Sequence, residues 1–551
     1  MVQRDARQKP APAFGPNPHL TVTPASTARE RRISWLWLGA LWLFLLLLAT
    51  LRPLAVPDEG RYGGLGRWML QSGDWLTPRL DGIPLFHKPP LLYWMEAVSL
   101  AVFGNHAWAL RLVPALHAGI MLAGLYLAAR AIAGERLARR AALMLGTSVA
   151  FLLGGQYVNH DMMVATWIGV AIWCFAFAFM RGERPHANLA RLGFVACALG
   201  VMSKGLIGVV LPGLVLFCWL LWTRQFRKVL ALPWVSGVLL FALIAVPWFV
   251  LVAQKYPGVL DYLFGTQQFT RYVGTTFNNV QPWWFYLVGL LLLLFPWAFF
   301  ALKPLWDAVR RGSIPAPDGI APEWLSLCWI WLAAILLFFT IPDSKLIGYI
   351  LPVIPPLALL AALGWERMLG QRRFAGRWFA ALAVLVAAVA LAVSLLVTRY
   401  TQDKLSFDVA RTLACEMQPG DTVYVVGNYP YDLPFYAQIR QPLIVVQDWA
   451  QQRATAGDVW QRELFEGANF DAAAARVLQT PAVLPAASRK PGNWLLAPRN
   501  GTEREFGPPA WLPVQTGTGW VLFKSGASAG AASAPKGPES AQQKGLPGCK
   551  Q

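Results

Sequence analysis

The chain has 551 residues, of which 56% are hydrophobic and only 14% are charged. It is far more apolar than a soluble enzyme of this length, so the composition predicts a polytopic membrane protein. Much of the formal net charge of +19 comes from arginines and lysines beside apolar runs. This charge is therefore a topology signal and gives no support for a nucleic-acid partner.

After a polar N-terminal tail, residues 1–33, the chain contains eleven hydrophobic runs that we interpret as membrane-spanning helices. About 18 or more apolar residues are enough to cross the hydrocarbon layer. The stretch Leu91 to Phe103 is too short and interrupted to span, and we assign it to the membrane interface. The eleven runs lie near 34–52, 110–133, 141–158, 163–181, 189–203, 205–222, 229–252, 284–302, 323–341, 346–365 and 377–397.

Basic residues give the topology, because Lys and Arg near helix ends stay on the cytoplasmic side. Arg29, Arg31 and Arg32 place the N-terminal tail inside, and the later basic clusters fall in the even-numbered loops. Nearly every unusual charge at membrane depth then lies on the outer face, where we expect the chemistry. That face carries 53–109, the turn at His160-Asp161, the corner at Ser203-Lys204-Gly205, 253–283, 342–345 and everything after 398.

The first outer loop, 53–109, begins with the carboxylate pair Asp58-Glu59 just after the first apolar run. Charges kept at a helix exit are costly and often functional. The apolar spacing of Asp58 to Trp68 predicts a short amphipathic helix along the interface, with both acids at its start. Acids also suit the positive end of a helix, so the pair has a structural alternative.

The same loop carries a lysine, Lys88, in the stretch Phe86-His87-Lys88-Pro89-Pro90. The prolines keep the backbone extended, so the ammonium projects from a stiff, aromatic-rich corner at headgroup depth. A rigid cation there suits a phosphate. The alternative is an ordinary lysine reaching toward lipid headgroups.

A second acid, Asp161, follows His160 in a turn so short that it must stay at the membrane surface. It can meet Asp58 if the helices bundle. Asp58 and Asp161 with His87 and His160 could then bind a divalent cation, although a solvated turn is the simpler interpretation. No GxGxxG or Walker pattern occurs, so no nucleotide cofactor is expected.

Three further cations lie on the predicted outer face, namely Lys204, Arg271 and Lys345. Arginine offers a planar fork to phosphate oxygens, and lysine offers a point charge. Each residue alone is more often structural. Together with the interleaved carboxylates, they predict a site for a phosphorylated lipid.

Several motifs of the membrane part, about 34–398, resemble the bacterial ArnT-like lipid A aminoarabinose transferases, which stand with the protein O-mannosyltransferases among the GT-C glycosyltransferases. The first-loop motif is the most specific of them. The matching features are Pro57-Asp58-Glu59, Tyr62, Ser72-Gly73-Asp74-Trp75 with Pro78, Lys88-Pro89 with Tyr93-Trp94, Lys204-Gly205, and Lys345 with Tyr349-Ile350-Leu351.

The resemblance implies an inverting transferase that uses an undecaprenyl (polyprenyl) phosphate sugar at the periplasmic face of the bacterial inner membrane. It typically moves 4-amino-4-deoxy-L-arabinose to a lipid A phosphate. Asp58 and Asp161 would be the catalytic acids, with Glu59 beside them or supporting the helix start. The donor phosphate would be held by Lys88 and Arg271, and the remaining implied contacts are Lys204, Lys345 and Tyr349 for the phosphate and Tyr62 and Tyr93 for the substrate.

The chain departs from the family pattern at three positions and in its predicted number of membrane spans. Gln267 and Gln268 stand where the aminoarabinose members usually have Glu-His, and His87 replaces a usual Glu. The family is expected to have thirteen spans, whereas eleven are predicted here. Another sugar, such as glucosamine, or a protein Ser/Thr acceptor therefore stays open, and a lipid-linked sugar transporter or flippase is the alternative from another class.

After the last apolar run the composition changes to that of a soluble segment. Strands are predicted at 422–426, 443–446, 494–497 and 520–523, and helices at 408–417 and near 431–437. We therefore expect a small α/β periplasmic domain over 399–525 that docks the acceptor or stabilises the protein. Residues 526–551 are predicted to be a disordered tail.

Overall fold

The computed structural model describes residues 26–270, 279–311, 320–370, 372–400, 405–455, 457, 459 and 461–527. Its first part is a bundle of apolar helices. Seven described helices are long and apolar enough to cross a membrane, or eight if one bent pair forms a single span. The protein is thus a multi-span membrane protein.

The helices of the membrane part follow one another with short connections. Those before residue 260 are α1 (Ala28–Thr50), α2 (Asp58–Ser72), α3 (Leu91–Phe103), α4 (Ala107–Gly146), α5 (Val149–Gly154), α6 (His160–Met180), α7 (Ala187–Lys204), α8 (Ile207–Trp222) and α9 (Trp234–Lys255). Those after it are α10 (Phe285–Leu293), α11 (Ala298–Arg311), α12 (Pro322–Thr340), α13 (Ile354–Leu369) and α14 (Ala375–Tyr400). A 3₁₀ segment, Ile347–Val353, leads directly into α13.

Each of the eleven predicted runs falls on helical structure, but not always as one continuous helix. The run 141–158 is divided between the end of α4 and the short α5. The run 284–302 consists of α10 and α11, which are bent by 117°. Length and apolarity therefore give fewer spans than the predicted eleven. The predicted division between α7 and α8 is confirmed, because Gly205 has a φ of 96° there, which favours glycine.

The loop between α1 and α4 folds as α2, a two-residue hairpin (β1 Arg79–Leu80, β2 Ile83–Pro84) and α3. The predicted amphipathic helix after Pro57 is confirmed as α2. We call the end of the bundle that carries this loop the domain end, because the C-terminal domain rests on it. At Gly60 a side-chain Cβ would lie 2.8 Å from the backbone of Tyr431, so glycine permits this close contact.

The C-terminal domain contains one six-stranded sheet in the order β5-β4-β3-β6-β8-β7. The first four strands in this order are parallel, and β8 runs antiparallel to both of its neighbours, β6 and β7. The bounds are β3 (Thr422–Val426), β4 (Ile444–Val446), β5 (Leu478–Gln479), β6 (Asn493–Pro498), β7 (Trp511–Thr516) and β8 (Trp520–Ser525). Its helices are α15 (Phe407–Glu416), α16 (Leu433–Tyr436), α17 (Trp449–Thr455), α18 (Gln461–Gly467) and α19 (Leu484–Ala487).

The four predicted strands are therefore confirmed, and the sequence missed the short β5 and the edge strand β7. One apolar core joins the loop to the domain, since Leu65 and Tyr93 belong to the same buried cluster as Val423 and Trp494. Burial of shared apolar surface holds the domain on the loop. This contact brings α18 over the domain end of the bundle.

Candidate active site

A cavity of about 440 Å³ lies where the loop, the bundle and the C-terminal domain meet. All three parts contribute charged side chains to it. The lining residues from the loop are Asp58, Arg61, Tyr62, His87 and Lys88; those from the bundle side include Asn159, His160, Asp161, Lys204, Gln267 and Tyr349; those from the domain are Val459, Arg462, Glu463 and Glu466.

Asp58 lies at the first position of α2 and opens into the cavity. One carboxylate oxygen accepts a hydrogen bond from Nη2 of Arg61 at 2.7 Å. The other accepts from the hydroxyl of Tyr157 at 3.0 Å. The side chain is still 29% exposed. Asp58 is thus oriented by its neighbours while one side stays accessible to a substrate.

Glu59, the next residue, points away from the cavity and is fully buried. It accepts hydrogen bonds from Arg52 at 2.6 and 2.9 Å and from Arg111 at 2.7 and 3.0 Å. Burial alone would raise the pKa of Glu59, but the charges of Arg111 and Arg52 outweigh it and lower the pKa to about 2. Glu59 therefore ties the loop to α4 and to the segment just after α1, which corrects the prediction that it shares the reacting site.

Asp161 stands in the first turn of α6, where Lys204 from the last turn of α7 forms an ion pair with its carboxylate. Asn159, the N-cap of α6, donates its side-chain amide to the other oxygen at 3.2 Å. The Lys204 ammonium also lies over the ring of Tyr349, 4.6 Å from its centre. The structure thus brings three predicted residues, Asp161, Lys204 and Tyr349, into one contact group on the cavity wall.

Arg61 connects the loop to the C-terminal domain and was missed by the sequence reasoning. Its Nη1 donates to Glu463 in a buried ion pair, while its Nη2 donates to Asp58 and to the hydroxyl of Tyr62. Nδ1 of His87 lies 3.3 Å from the same Glu463 carboxylate. A carboxylate of the soluble domain therefore organises two residues of the first loop.

Two other predicted residues, Tyr93 and Lys345, do not line the described cavity. Tyr93 lies behind it, with its ring stacked on Tyr62 at 6.4 Å between centres and edge-to-face with His160. Lys345 is buried, and its ammonium donates to the backbone carbonyl of Gln281 at 3.0 Å. Lys345 thus joins two chain segments, which corrects its prediction as a phosphate ligand. Arg271 lies outside the described residues.

The predicted metal site does not form among the described residues, where no group of three His, Cys, Asp or Glu side chains is placed to hold a metal ion. The physical reason is visible in the ion pairs. Arg61 engages Asp58, Lys204 engages Asp161, and His87 faces Glu463. Because Arg61 and Lys204 already neutralise Asp58 and Asp161, the described residues do not fit a divalent metal ion.

Of the cavity residues that the sequence reasoning missed, Arg61 had a recognisable signal in the sequence, and Glu463 and Glu466 had none. Arg61 is three residues after Asp58, a spacing that places two side chains on one face of a helix. That signal was present. Glu463 and Glu466 in α18 had no such signal, because Glu463 is 402 residues away from its partner Arg61 along the chain.

Comparison with known proteins identifies relatives of this architecture. The family model described as dolichyl-phosphate-mannose-protein mannosyltransferase matches residues 34–263. The undecaprenyl phosphate-alpha-4-amino-4-deoxy-L-arabinose arabinosyl transferase 1 of Pseudomonas fluorescens is 32% identical over 64% of this chain and 61% of its own length. The corresponding transferase of Pseudomonas aeruginosa is 31% identical over 60% of this chain and 59% of its own. The chain thus spans about three fifths of the curated relatives that it matches.

Two solved structures share the fold over nearly the whole chain. The crystal structure of ArnT from Cupriavidus metallidurans bound to undecaprenyl phosphate has a TM-score of 0.76 and 25% identity. The match covers 93% of this chain and 100% of the ArnT chain. The apo structure of the same protein has a TM-score of 0.72 and 23% identity, and covers 92% of this chain and 100% of its own. The soluble domain is therefore included in the structural likeness.

Proposed function

We propose, from the premise that the chain is an ArnT-like GT-C protein, that it is a glycosyltransferase using a polyprenyl phosphate-linked sugar as donor. The specific reaction that we propose moves 4-amino-4-deoxy-L-arabinose from undecaprenyl phosphate to a lipid A phosphate. It takes place at the periplasmic face of the bacterial inner membrane. The observation that carries the proposal is a single cavity at the domain end that contains Asp58, Asp161, Lys88 and Lys204.

The cations of this cavity suit the leaving group of such a donor. The bond between the anomeric carbon and the phosphate oxygen breaks, and undecaprenyl phosphate leaves with the electron pair. Lys88 and Lys204 provide positive charge to that phosphate in a site that is partly shielded from bulk water, where such contacts are stronger. An acceptor oxygen forms the new bond from the opposite side of the sugar, so the configuration inverts. No covalent sugar–enzyme intermediate is needed.

Asp58 has a role that depends on the acceptor. A phosphate acceptor is ionised near neutral pH and is already a nucleophile, so it needs orientation only. A hydroxyl acceptor needs a general base. Both carboxylate oxygens of Asp58 already accept hydrogen bonds, from Arg61 and Tyr157. This arrangement suits an orienting group and favours the phosphate acceptor, to which Arg61 offers a neighbouring positive charge.

Another sugar is the second candidate, and a specific substitution supports it. Gln267 and His87 both line the cavity, at positions where the family's aminoarabinose members usually have Glu. The carboxylates on this side of the cavity come instead from Glu463 and Glu466 of the domain. A changed set of polar groups around the sugar is a reason to test glucosamine beside aminoarabinose.

Mass spectrometry of lipid A tests the proposal directly. Cells that express the wild-type protein should carry lipid A with the mass of one added sugar on a phosphate, and cells with Asp58→Asn should not. Glu416→Gln, at an exposed position at the end of α15, is the matched control and should keep the added mass. Unchanged lipid A together with a new sugar on secreted proteins would overturn the lipid acceptor in favour of a protein hydroxyl.

A further inference from the structure

A second cavity, of about 460 Å³, lies among α6, α7, α8 and α9 and shares no residue with the candidate active site. Its described lining is entirely apolar apart from one cysteine. Aromatic rings form much of the wall, including Phe179, Phe194, Phe217, Phe226 and Trp234. Such a lining excludes a charged or sugar-like ligand from the interior of the cavity, because a polar group would lose its hydrogen bonds to water there.

The cavity is long and follows one face of α8. Its α8 residues run from Val209 to Leu220 at the spacing of one helical face, which corresponds to about 17 Å along the helix axis at 1.5 Å per residue. Two of the lining side chains, Phe217 and Val238, are also half exposed on the outside of a membrane-spanning part. An elongated apolar space that reaches the lipid-facing surface matches a single acyl chain in shape and chemistry.

The mouth of this cavity, at the end of the bundle opposite the domain end, is basic. In the short turn after α8, Phe226 and Val229 line the cavity, and Arg224 and Arg227 alternate with them and are exposed. Among the contacts of the described residues, neither arginine forms an ion pair. Lys228 fastens the turn to the end of α6 by donating to two backbone carbonyls there.

We propose that this cavity binds one acyl chain of an anionic phospholipid, with the lipid phosphate held by Arg224 and Arg227. Basic groups between membrane helices attract acidic headgroups, and the apolar cavity beside them receives the chain. Because cavity-lining and cationic residues alternate in this turn, the turn can contact both the acyl chain and the phosphate of one lipid. The proposal does not depend on the reaction at the other end of the bundle.

Native mass spectrometry of the delipidated full-length protein tests the proposal, with phosphatidylglycerol and phosphatidylcholine of the same acyl chains as probes. Wild-type protein should retain one phosphatidylglycerol with at least tenfold preference over phosphatidylcholine. Gly213→Phe should abolish retention of both, because an added Cβ at Gly213 meets nothing within 4 Å and the ring can fill the cavity. Gly124→Phe, at another helical glycine with open space outside the cavity, should bind like the wild type.

A separate double variant tests the contact between the arginines and the lipid phosphate. Arg224→Gln with Arg227→Gln should remove the preference for phosphatidylglycerol while retention of phosphatidylcholine stays unchanged. Val238→Trp fills the same cavity from α9 and replaces Gly213→Phe if the latter does not fold. Retention of phosphatidylglycerol by the filled variants would overturn the proposal. Equal retention of both lipids by the wild type, or recovery of a polyprenyl phosphate in place of a phospholipid, would also overturn it.

Discussion

Replacing Glu59 by glutamine should destabilise the protein strongly and leave the chemistry in place. Glu59 has no exposed surface and accepts hydrogen bonds from Arg52, Arg111 and the backbone amides of Ala55 and Val158. The amide of Glu59→Gln cannot balance two guanidinium groups, and Arg111 itself is fully buried. Removing one partner of such a buried pair typically costs about 3–5 kcal/mol.

The pKa of Glu59 leads independently to a similar loss of folding free energy. Its folded pKa is lowered from 4.5 to about 2, and each unit corresponds to about 1.4 kcal/mol, so the charged form contributes about 3 kcal/mol. Because the folded pKa is the lower one, this stability is present above about pH 4.5. It is lost as the pH falls from there toward 2. The wild type should lose it over this interval, and Glu59→Gln should lack it at every pH.

Thermal unfolding in detergent, followed by intrinsic tryptophan fluorescence, measures the effect. Unfolding of membrane proteins is commonly irreversible, so unfolding rates at one temperature are compared as well as midpoints. Glu59→Gln should unfold several degrees below the wild type, whereas the protein that stays folded should transfer sugar at close to the wild-type rate. Asp58→Asn should unfold at close to the wild-type temperature and should lose sugar transfer. A Glu59→Gln protein with wild-type thermal stability and no transfer would refute the structural assignment of Glu59.

Three further outcomes follow from other contacts. Glu463→Gln should lower the single-turnover rate at least tenfold, because it removes a carboxylate that holds Arg61 beside Asp58, the proposed reacting acid. Glu466→Gln, which makes no contact with that arginine, should lose less in the same single-turnover assay. Burial raises the pKa of Asp81 to about 7, so the stability of the wild type falls as the pH rises from about 4 to 7. Asp81→Asn should therefore raise the unfolding temperature at pH 8 and change it little at pH 4. Lys204→Met should weaken the binding of undecaprenyl phosphate about tenfold in a fluorescence titration, whereas Asp161→Asn should strengthen it by releasing the ammonium.

The membrane part of the fold was predictable because the bilayer limits what the chain can do. A run of apolar residues in lipid has to form a helix, so run lengths identify the helices. Charges left at the ends of such runs are few and stay near the surface. Lys88 and Asp161 lie on different segments, yet both had to be at the same depth, and the structure places them in one cavity.

The separation of Asp58 from Glu59 was not predictable by the same reasoning. Neighbouring residues of a helix point about 100° apart, since a turn contains 3.6 residues. One of the two therefore faces the cavity and the other faces the core, but the sequence does not tell which. The arginine partners of Glu59 are Arg52, just after α1, and Arg111 in α4, and their positions are fixed only by packing of the loop on the bundle.

The contribution of the C-terminal domain to the cavity was not predictable, because it depends on contacts between segments that are distant along the chain. A shared apolar core seats the domain on the loop, and this contact alone places α18 above the bundle. Sequence patterns report the faces of individual elements, so they predicted the strands. They do not report which face of one unit meets another. Glu463 therefore looked like an ordinary surface acid in the sequence, although it is buried against Arg61.

For the proposed polyprenyl phosphate donor, the charges of the cavity imply that binding rearranges the site. Among its described lining residues four are acids and four are lysines or arginines, and acids and cations are paired with one another across the cavity wall. A lipid phosphate that enters has to compete with a resident carboxylate for Arg61, Lys204 and Arg462. Lys204 is the residue best placed to change partner, because Tyr349 still holds its ammonium when Asp161 is released. The freed Asp161 carboxylate would then face the sugar at the moment when its phosphate is held, which links donor binding to the formation of the reacting arrangement.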